Sequence, residues 1–259
     1  SINPQIFREY DIRGIVDQDL TSESVASIGK AIGSYIRRGG GKTIVVGRDV
    51  RSSSIGFRDI LSKALNSTGC DVIDIGMVPT PVTYFALHHF KADGGVMITG
   101  SHNPPEFNGF KISQGLHSLY GEKVQELKRL IEVNDFETGT GNTRQEKVLD
   151  DYMEKICSIL KISRKIKVVV DGGNGCFGIV GPDLLRKLGQ NPVELFSEPD
   201  GTFPNHHPDP TVSEHLTHLI AKVRSENADL GIGFDGDADR IGVVDEKGNI
   251  LWGDQLLTI

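Results

Sequence analysis

Cysteine is scarce in this sequence, and the cysteines present do not form a recognisable set. Cys70, Cys157 and Cys176 are odd in number, lie far apart and include no CxxC pair. A disulfide framework or a zinc site requires paired or regularly spaced cysteines, so the sequence favours neither. We interpret all three as inert thiols.

Long apolar runs are also missing. No window of the sequence approaches the roughly 18 uncharged apolar residues that a membrane-spanning helix needs. The first residues, SINPQIFREYDIRG, contain no signal-peptide core. The sequence therefore indicates no membrane partner, and we expect the protein in the cytoplasm.

Positive charge is the minority charge. The sequence has 28 Lys and Arg against 35 Asp and Glu, a formal net charge of −7. Binding a nucleic-acid backbone needs clustered cations, so we expect no nucleic-acid partner, and an anionic ligand would need a local basic pocket. The 259 residues, 37% hydrophobic and 24% charged, are otherwise typical of a globular protein with one large or two ordinary domains.

Strand and helix patterns alternate along the chain. Apolar residues recur at helical spacing from Ser22 to Arg37, and strand patterns follow at Thr43–Val46 and Asp71–Ile75. The same alternation resumes at Lys167–Val170. Strands that alternate with helices of this length predict βαβ units and a mainly parallel sheet in each half.

A polar, glycine-containing stretch, Glu137–Thr143, separates the two halves, and Val148–Leu160 is predicted to be a bridging helix. The predicted fold is therefore α/β, with two repeated three-layer α/β/α domains whose sheets are mainly parallel but mixed.

An internal repeat supports this division. ADGGVMITGS, residues 92–101, aligns without a gap on ADLGIGFDGD, residues 228–237, so that Ser101 and Asp237 occupy equivalent positions. Each polar loop follows a core strand, and open α/β sheets bind ligands at the carboxyl ends of their strands. We therefore predict that the two loops form halves of one cleft.

The second loop contains three alternating carboxylates, Asp235, Asp237 and Asp239. Their mutual repulsion is tolerable when a cation lies among them, and oxygen ligands favour Mg²⁺ or Ca²⁺. Glu246 completes the acidic spacing of an EF-hand, but Arg240 replaces the required glycine and the flanks are strand-like. An aspartyl-phosphate enzyme with Asp235 as nucleophile, and a solvated acidic turn, remain as alternatives.

A dinucleotide site is a further alternative. Gly173, Gly175 and Gly178 form a GxGxxG after a strand and before a helix, and Glu194 lies near the end of the next strand. This pattern is weakly specific and gives no role to either polar loop, so a tight turn is the favoured interpretation.

The first loop, TGSHNPPEFNGFK at residues 99–111, places Ser101 beside His102. Acyl transfer is disfavoured because adjacent side chains rarely meet in nucleophile–base geometry and no GxSxG is present. Near a divalent ion, a serine oxygen suits phosphoryl transfer, with Arg13, Lys111 and Arg240 as sources of positive charge. A lysine crowded by cations could also act as a base.

The motifs TGSHNPPEFNGFK, DGDADR and FREYDIRG, together with PNHHPDPT at 204–211, resemble the α-D-phosphohexomutase family, in particular its bacterial phosphomannomutase/phosphoglucomutase branch. The resemblance implies an isomerase that moves phosphate between O1 and O6 of a hexose. A phosphoserine donates the phosphoryl group, and a hexose 1,6-bisphosphate is the intermediate and activator.

The resemblance also implies roles for individual residues. Ser101 corresponds to the phosphoserine and, through its phosphate, to a metal ligand. The three aspartates correspond to the Mg²⁺ ligands, and Lys111 to the general base. His102, Arg13 and Arg240 correspond to neighbours of the phosphate. Tyr10, with Arg13 and Lys111, corresponds to the substrate-binding side chains of the cleft.

The same resemblance predicts domain boundaries. Residues 1–147 correspond to a first domain with the phosphoserine loop, 148–250 to a second with the metal loop, and 251–259 to the start of a third. Family members have four domains, of which the third reads the sugar and the fourth holds the distal phosphate. We therefore expect a monomeric, N-terminal part that is inactive alone, with mannose, glucose and glucosamine phosphates unresolved as substrates. A phosphatase using Asp235 and a dinucleotide- or sugar-phosphate-binding module are the rival functions.

Overall fold

The computed structural model describes residues 2–258, which form two compact units that divide between Val148 and Leu149. Each unit contains its own β-sheet and its own hydrophobic core.

The first unit contains seven strands and four α-helices among its described residues. The strands are β1 (Ile12–Ile15), β2 (Thr43–Arg48), β3 (Asp71–Met77), β4 (Gly94–Ile98), β5 (Phe107–Gln114), β6 (His117–Ser118) and β7 (Thr143–Gln145). The helices are α1 (Ser22–Arg38), α2 (Ser52–Ser67), α3 (Thr80–His89) and α4 (Glu122–Glu132), and a short 3₁₀ turn spans Pro4–Ile6.

The first sheet has the order β1-β5-β4-β2-β3-β7, with β6 paired to β5. β2 is parallel to β3 and β4, whereas β5 is antiparallel to both of its neighbours β1 and β4. Every residue of β4 is buried, as expected for a central strand of a parallel sheet that is covered on both faces. β4 therefore delivers the loop that follows it to a fixed position at the edge of the sheet.

Helix α1 packs closely against α2 because small residues face each other. A Cβ added at Gly33 would lie 2.1 Å from Oγ1 of the buried Thr68, and one added at Gly29 would lie 2.7 Å from Cβ of Ala64. The start of α1 is fixed by a capping box between Thr21 and the third helical residue. The buried face of α1 thus joins the main core cluster of the first unit.

The polar stretch at residues 137–143 packs against the first unit. The backbone N–H of Gly139 donates to Ser67 O at 2.9 Å, and that of Asn142 donates to Asp71 Oδ1 at 2.9 Å. The chain then enters β7, which is parallel to β3. Residues 137–143 are polar because they lead into β7, which is exposed at the edge of the sheet. The second unit begins a few residues later, at Leu149.

The second unit contains five strands and four α-helices among its described residues. They follow in the order α5 (Leu149–Ile159), β8 (Val168–Asp171), α6 (Phe177–Lys187), β9 (Val193–Leu195), α7 (Thr217–Glu226), β10 (Leu230–Phe234), β11 (Ile241–Asp245), β12 (Ile250–Leu251) and α8 (Gly253–Leu256). A 3₁₀ turn at Ser213–Leu216 leads directly into α7.

The second sheet has the order β12-β11-β10-β8-β9. β8 is parallel to β9 and β10, and β11 is antiparallel to β10 and β12. Val169 of β8 belongs to a core cluster with residues of α7, whereas the next residue, Val170, belongs to a cluster with Phe177 of α6. Alternate residues of one strand therefore face helices on opposite sides of the sheet, which is the three-layer arrangement.

The predicted mixed, mainly parallel α/β class is confirmed. The predicted bridging helix appears as α5, whereas the antiparallel strands β5 and β11 were not predicted. Each of them returns the chain after one of the two polar loops, so the repeat extends to strand, loop and antiparallel strand. No helix within residues 2–258 is long and apolar enough to span a bilayer.

Two helical glycines provide a matched test of the packing between α1 and α2. Gly33→Ala is expected to lower the free energy of unfolding by about 1–3 kcal/mol, because its Cβ would overlap Thr68 Oγ1. The Cβ added by Gly56→Ala in α2 meets no atom within 4 Å, and this substitution is expected to raise the free energy of unfolding by about 0.5–1 kcal/mol. Urea denaturation of both variants measures the difference, and equal stabilities would contradict this packing.

Candidate active site

The loop after β4, residues 99–106, holds the serine predicted to carry the chemistry; we call it the serine loop. Ser101 is fully buried and adopts a left-handed backbone conformation, with φ of 54°. Its N–H donates to Thr99 Oγ1 at 2.8 Å, and the N–H of Asn103 donates to Gly100 O at 2.9 Å. These bonds hold a non-glycine residue in a conformation that costs free energy, which is typical of functional loops.

The side chains of Ser101 and His102 lie closer than expected for sequence neighbours. Ser101 Oγ is 3.3 Å from His102 Nδ1, just beyond the range of about 2.6–3.2 Å for a proton-transfer pair. The two side chains are therefore in contact, at a distance slightly longer than nucleophile–base geometry requires. The left-handed backbone at Ser101, which the sequence does not reveal, accompanies this approach.

Arg13 is tied to the serine loop within the first unit. Its Nη1 donates to Asn103 Oδ1 at 2.6 Å, its Nη2 pairs with Asp11, and the residue is only 8% exposed. A buried arginine bound to this loop is not an ordinary surface cation. Asn103 was not predicted as a site residue, although it lies within the quoted motif.

Lys111 and Tyr10 complete the predicted set of the first unit. Lys111 lies on β5 opposite Met97 of β4, and its side chain is half-buried. Tyr10 precedes β1 and is 74% exposed, a high value for an aromatic side chain. The structure thus brings Arg13, Ser101 and His102 together through the serine loop and places Lys111 on the strand that leaves it.

The loop after β10, residues 235–240, holds the three aspartates; we call it the aspartate loop. Oδ1 of Asp235 accepts the N–H groups of Asp239 and Arg240, each at 3.1 Å. Ala238 adopts a left-handed conformation, with φ of 58°. The first carboxylate therefore closes the turn that presents the other two.

One oxygen from each of Asp235, Asp237 and Asp239 lies within 4.8 Å of the others, with the first two residues buried and the third exposed. Burial, then repulsion from Asp237 and Asp239, raises the pKa of Asp235 to about 8. Three oxygen donors suit a hard divalent ion, whose ligand distances of about 2.0–2.6 Å need only a slight contraction of this cluster. Within residues 2–258 no other group of three or more such side chains could share a metal ion.

The structure excludes the EF-hand, because the aspartate loop joins two antiparallel strands where an EF-hand needs two helices.

The GxGxxG turn has a packing explanation. A Cβ at Gly175 would lie 2.6 Å from Gly236 O, and one at Gly178 would lie 1.6 Å from Ser197 O. Gly173 has a φ of 54°. These glycines allow other backbone segments to approach, as the tight-turn interpretation requires.

Two charged pairs near the loops were not predicted from the sequence. In the second unit, His206 Nε2 lies 2.8 Å from Asp171 Oδ2, and Asp171 Oδ1 accepts the N–H of Gly173 at 2.8 Å. Burial lowers the pKa of His206, but the hydrogen bond and charge of Asp171 raise it overall above its usual value. In the first unit, Asp49 and Arg51 lie beneath the serine loop. In both cases the available signal was an acidic residue at the end of an apolar strand, Asp171 as the last residue of β8 and Asp49 directly after β2.

The fold and the two loops together define a class of protein: two α/β/α domains, one with a serine loop and one with a carboxylate cluster. Family profiles agree with this class. Residues 4–138 match phosphoglucomutase/phosphomannomutase, alpha/beta/alpha domain I, and residues 150–248 match domain II of the same family. The chain belongs to the phosphoglucomutase/phosphomannomutase family.

Individual relatives support this assignment. The chain is 48% identical over 254 residues to phosphomannomutase/phosphoglucomutase of Pseudomonas aeruginosa, covering 98% of the chain and 55% of the relative. It is 41% identical over 261 residues to phosphoglucomutase of Neisseria meningitidis serogroup B, covering 100% and 57%. A crystal structure of a phosphoglucomutase/phosphomannomutase family protein from Burkholderia thailandensis superposes with a TM-score of 0.95 at 44% identity, covering 98% and 57%. The chain thus spans about half the length of the curated relatives it matches.

The raised pKa of Asp235 predicts an unusual pH dependence of stability. A carboxyl whose pKa is near 8 when folded and 3.8 as a model compound holds a proton that the unfolded chain releases. The Tm of the metal-free protein is therefore expected to fall as pH rises from about 5 to about 8. Added Mg²⁺ is expected to raise Tm more at the higher pH, where Asp235 is ionised.

Asp235→Asn is the control for this scan, because it keeps an oxygen for the two N–H groups and removes the titration. His206 contributes a slope of the same sign in both proteins, since its folded pKa is also raised. The difference between the two pH profiles of Tm isolates Asp235. Identical profiles would show that this carboxyl does not titrate in the range.

Proposed function

We propose that this chain forms the phosphoryl-donating and metal-binding part of a phosphohexomutase, which moves phosphate between O1 and O6 of a hexose. One observation carries the proposal: a serine loop and an aspartate loop occupy equivalent positions after β4 and β10. The phosphomannomutase/phosphoglucomutase name of the Pseudomonas relative supports the substrate class.

The proposed transfer conserves all atoms. The phosphorus on Oγ of phosphorylated Ser101 forms a bond to a hexose hydroxyl oxygen as its bond to Oγ breaks. The proton of that hydroxyl passes to a base, for which Lys111 is the candidate, and Oγ of Ser101 takes up one proton in return, from the protonated base or from water that the base then reprotonates. Reversal with the other phosphate of the resulting hexose 1,6-bisphosphate regenerates the phosphoserine and releases the isomeric monophosphate. Positioning and charge neutralisation dominate the catalysis of such transfers.

The proposed metal site consists of Asp235, Asp237 and Asp239, with an oxygen of phosphorylated Ser101 as a further ligand. A bound Mg²⁺ would neutralise charge on the transferring phosphoryl group. The cluster geometry supports a divalent ion, because its three oxygens already converge and because burial, then repulsion between the carboxylates, raises the pKa of Asp235 when no cation is present.

The remaining predicted side chains are proposed to bind and orient the phosphate and sugar. Arg13 is held against the serine loop through Asn103, which fixes a guanidinium near the nucleophile. His102 is proposed as a hydrogen-bonding neighbour of the phosphoserine, since its ring already lies against Ser101 Oγ. Arg240 is proposed to add positive charge beside the aspartate loop, and the exposed Tyr10 to contact the sugar.

The extent of the match limits what this chain is proposed to do alone. It spans 55% of the Pseudomonas relative and matches two domains of the family. Contacts to the sugar and the distal phosphate supply much of the orientation in such reactions. We therefore propose that these 259 residues bind Mg²⁺ and carry phosphate on Ser101 without turning over hexose phosphates. A cytoplasmic monomer is proposed, and the three free cysteines support a reducing compartment.

An aspartyl-phosphate phosphatase is the rival function, because Asp235 also follows an apolar strand. In the absence of metal the raised pKa of Asp235 keeps this carboxyl protonated at neutral pH, and its Oδ1 accepts two backbone N–H groups. Both features weaken it as a nucleophile. The serine is therefore the better candidate for the covalent intermediate.

Chemical stability of the phosphorylated residue distinguishes the two functions. The chain is incubated with Mg²⁺ and glucose 1,6-bisphosphate that carries labelled phosphate. The labelled phosphate is expected on the peptide that contains Ser101 and is expected to survive acid and hydroxylamine. Ser101→Ala, the matched control, is expected to incorporate none. Release of the label by hydroxylamine would identify an acyl phosphate and contradict the serine mechanism.

Removal of one carboxylate tests the metal site. Asp237→Asn is expected to weaken Mg²⁺ binding by at least about tenfold, because it removes one of three charged oxygen ligands. The fold should be retained, since the substitution also relieves repulsion. Isothermal titration with Mg²⁺ measures the change.

Asp183→Asn is the charge-matched control for that titration, because Asp183 is exposed on α6 and pairs with Arg186. It is expected to bind Mg²⁺ like the wild type. Equal affinities for the Asp237 variant and the wild type would show that the aspartate loop is not the metal site. Micromolar binding of NADH in a parallel titration would restore the dinucleotide alternative.

A further inference from the structure

A buried arginine lies beneath the serine loop and binds its backbone from below. Arg51 is only 2% exposed. Its Nη2 donates to Asn103 O at 2.7 Å and to Ser101 O at 3.3 Å, and its Nη1 donates to Pro104 O and, at 3.0 Å, to Phe107 O. One guanidinium therefore binds four carbonyl groups within seven consecutive residues.

Asp49 fixes this guanidinium and also contacts the loop. Its Oδ2 accepts Arg51 Nε at 3.0 Å and the N–H of Gly100 at 3.2 Å. Its Oδ1 accepts the N–H of Arg51 at 3.0 Å and the hydroxyl of Ser54 at 2.6 Å. Both side chains of the pair are almost completely buried. Asp49 and Arg51 thus form a rigid, charge-neutral ion pair beneath the loop. Asp49 directly follows β2, and Arg51 directly precedes α2.

The ion pair packs tightly against the loop at Gly100, the residue before Ser101. A Cβ added at Gly100 would lie 2.4 Å from Cζ of Arg51, so the backbone rests directly on the guanidinium. The next residue, Ser101, has a left-handed φ of 54°, which a serine seldom adopts without support. The contacts of Arg51 to carbonyls on both sides of this turn supply such support.

We propose that Arg51 is a positioning residue for phosphoryl transfer at Ser101, which rests on the proposed function. Its contacts described above are to the backbone of the loop and to Asp49, so it acts through the loop. Arginine suits this role because its planar guanidinium offers five N–H donors in a fixed arrangement, whereas lysine offers one compact ammonium group. Ser101 must hold one geometry as both phosphate donor and acceptor, and a displacement of about 1 Å can cost about a hundredfold in rate.

The test compares Arg51→Lys with Arg58→Lys in the 259-residue chain. Arg58 lies on α2, the helix that Arg51 precedes as N-cap, and also pairs with a buried carboxylate, with Nη1 2.8 Å from Asp74 Oδ2. Its second partner is Asp59, outside the serine loop. Both variants keep the positive charge and perturb a buried ion pair of the first unit. The Arg58 variant therefore controls for a general loss of stability.

Two measurements are made on each variant. The first is amide hydrogen exchange of the serine loop without metal or substrate. The second is the single-turnover rate of phosphoryl transfer from glucose 1,6-bisphosphate to Ser101 with saturating Mg²⁺. Arg51→Lys is expected to speed exchange of the loop amides by at least about tenfold and to slow transfer by about a hundredfold. Arg58→Lys is expected to leave both within about threefold of the wild type at a comparable loss of Tm.

Rescue gives a readout that a merely structural role would not produce. In Arg51→Ala, millimolar guanidinium ion is expected to restore part of the transfer rate, whereas the same concentration of tetramethylammonium, which cannot donate hydrogen bonds, is expected to restore none. If the Arg51 variants do not fold, Asp49→Asn replaces them. It keeps an oxygen for the N–H of Arg51 but presents an amide NH₂ where Gly100 needs an acceptor, and the same direction of change is expected.

The outcomes separate this proposal from the proposed function. Unchanged loop exchange in Arg51→Lys, or equal slowing of transfer in the two lysine variants at equal loss of Tm, would overturn the positioning role. If the wild-type chain accepts no phosphate on Ser101 although its loop is protected, the mutase function fails. The exchange measurement then decides by itself whether Arg51 orders the loop.

Discussion

Repulsion among three carboxylates at the end of one strand is the constraint on which the second unit depends. Asp235 and Asp237 are fully buried, and burial followed by repulsion from Asp237 and Asp239 raises the pKa of Asp235 to about 8. The loop bears this repulsion because its backbone is fixed on two sides. Asp235 Oδ1 accepts the backbone N–H groups of Asp239 and Arg240. On the other side, Gly236 O accepts the N–H of Cys176, in the glycine turn, at 2.9 Å. A proton on Asp235 or a bound divalent ion relieves the repulsion in this loop.

The two units hold their polar loops with the same arrangement of strands. In each, a parallel strand ends in a loop that turns through a left-handed residue, Ser101 or Ala238, and returns as an antiparallel strand. Each loop also rests on a buried acid at the end of a neighbouring parallel strand. Asp49 follows β2 and accepts a loop amide in the first unit. Asp171 ends β8 and braces the glycine turn beneath the aspartate loop in the second. The functional loops are thus supported by rigid strands, as preorganised sites require.

The sequence predicted those features that depend on local patterns. Apolar runs that end in polar loops located β4 and β10, and the alignment of their flanks revealed the repeat. The carboxylate spacing predicted the cluster, and the three motifs predicted the family. The strand β5 was missed because glycine and polar residues interrupt its alternation, and because its start belongs to a motif that we interpreted as a loop.

Features that depend on distant residues or on a single torsion angle could not be predicted in this way. The bonds from Arg51 to the serine loop span about 50 positions of sequence, and nothing local in GRDVR identifies the partner. The approach of His102 to Ser101 accompanies one left-handed residue, and the shifted pKa of Asp235 depends on burial that only the folded unit provides. The sequence therefore identified which residues carry the proposed chemistry, and the structure identified what holds them.

The central claim is that phosphate on Ser101 and the three aspartates share one metal ion. Mn²⁺ can replace Mg²⁺ at an oxygen site, and its unpaired electrons report directly on phosphorus that is bound through one oxygen. The account predicts a strong ³¹P hyperfine coupling in the electron–nuclear double resonance spectrum of the Mn²⁺-loaded protein phosphorylated on Ser101. That coupling should vanish on dephosphorylation. Mn²⁺ bound at the aspartates with no ³¹P coupling to the phosphoserine would contradict the account.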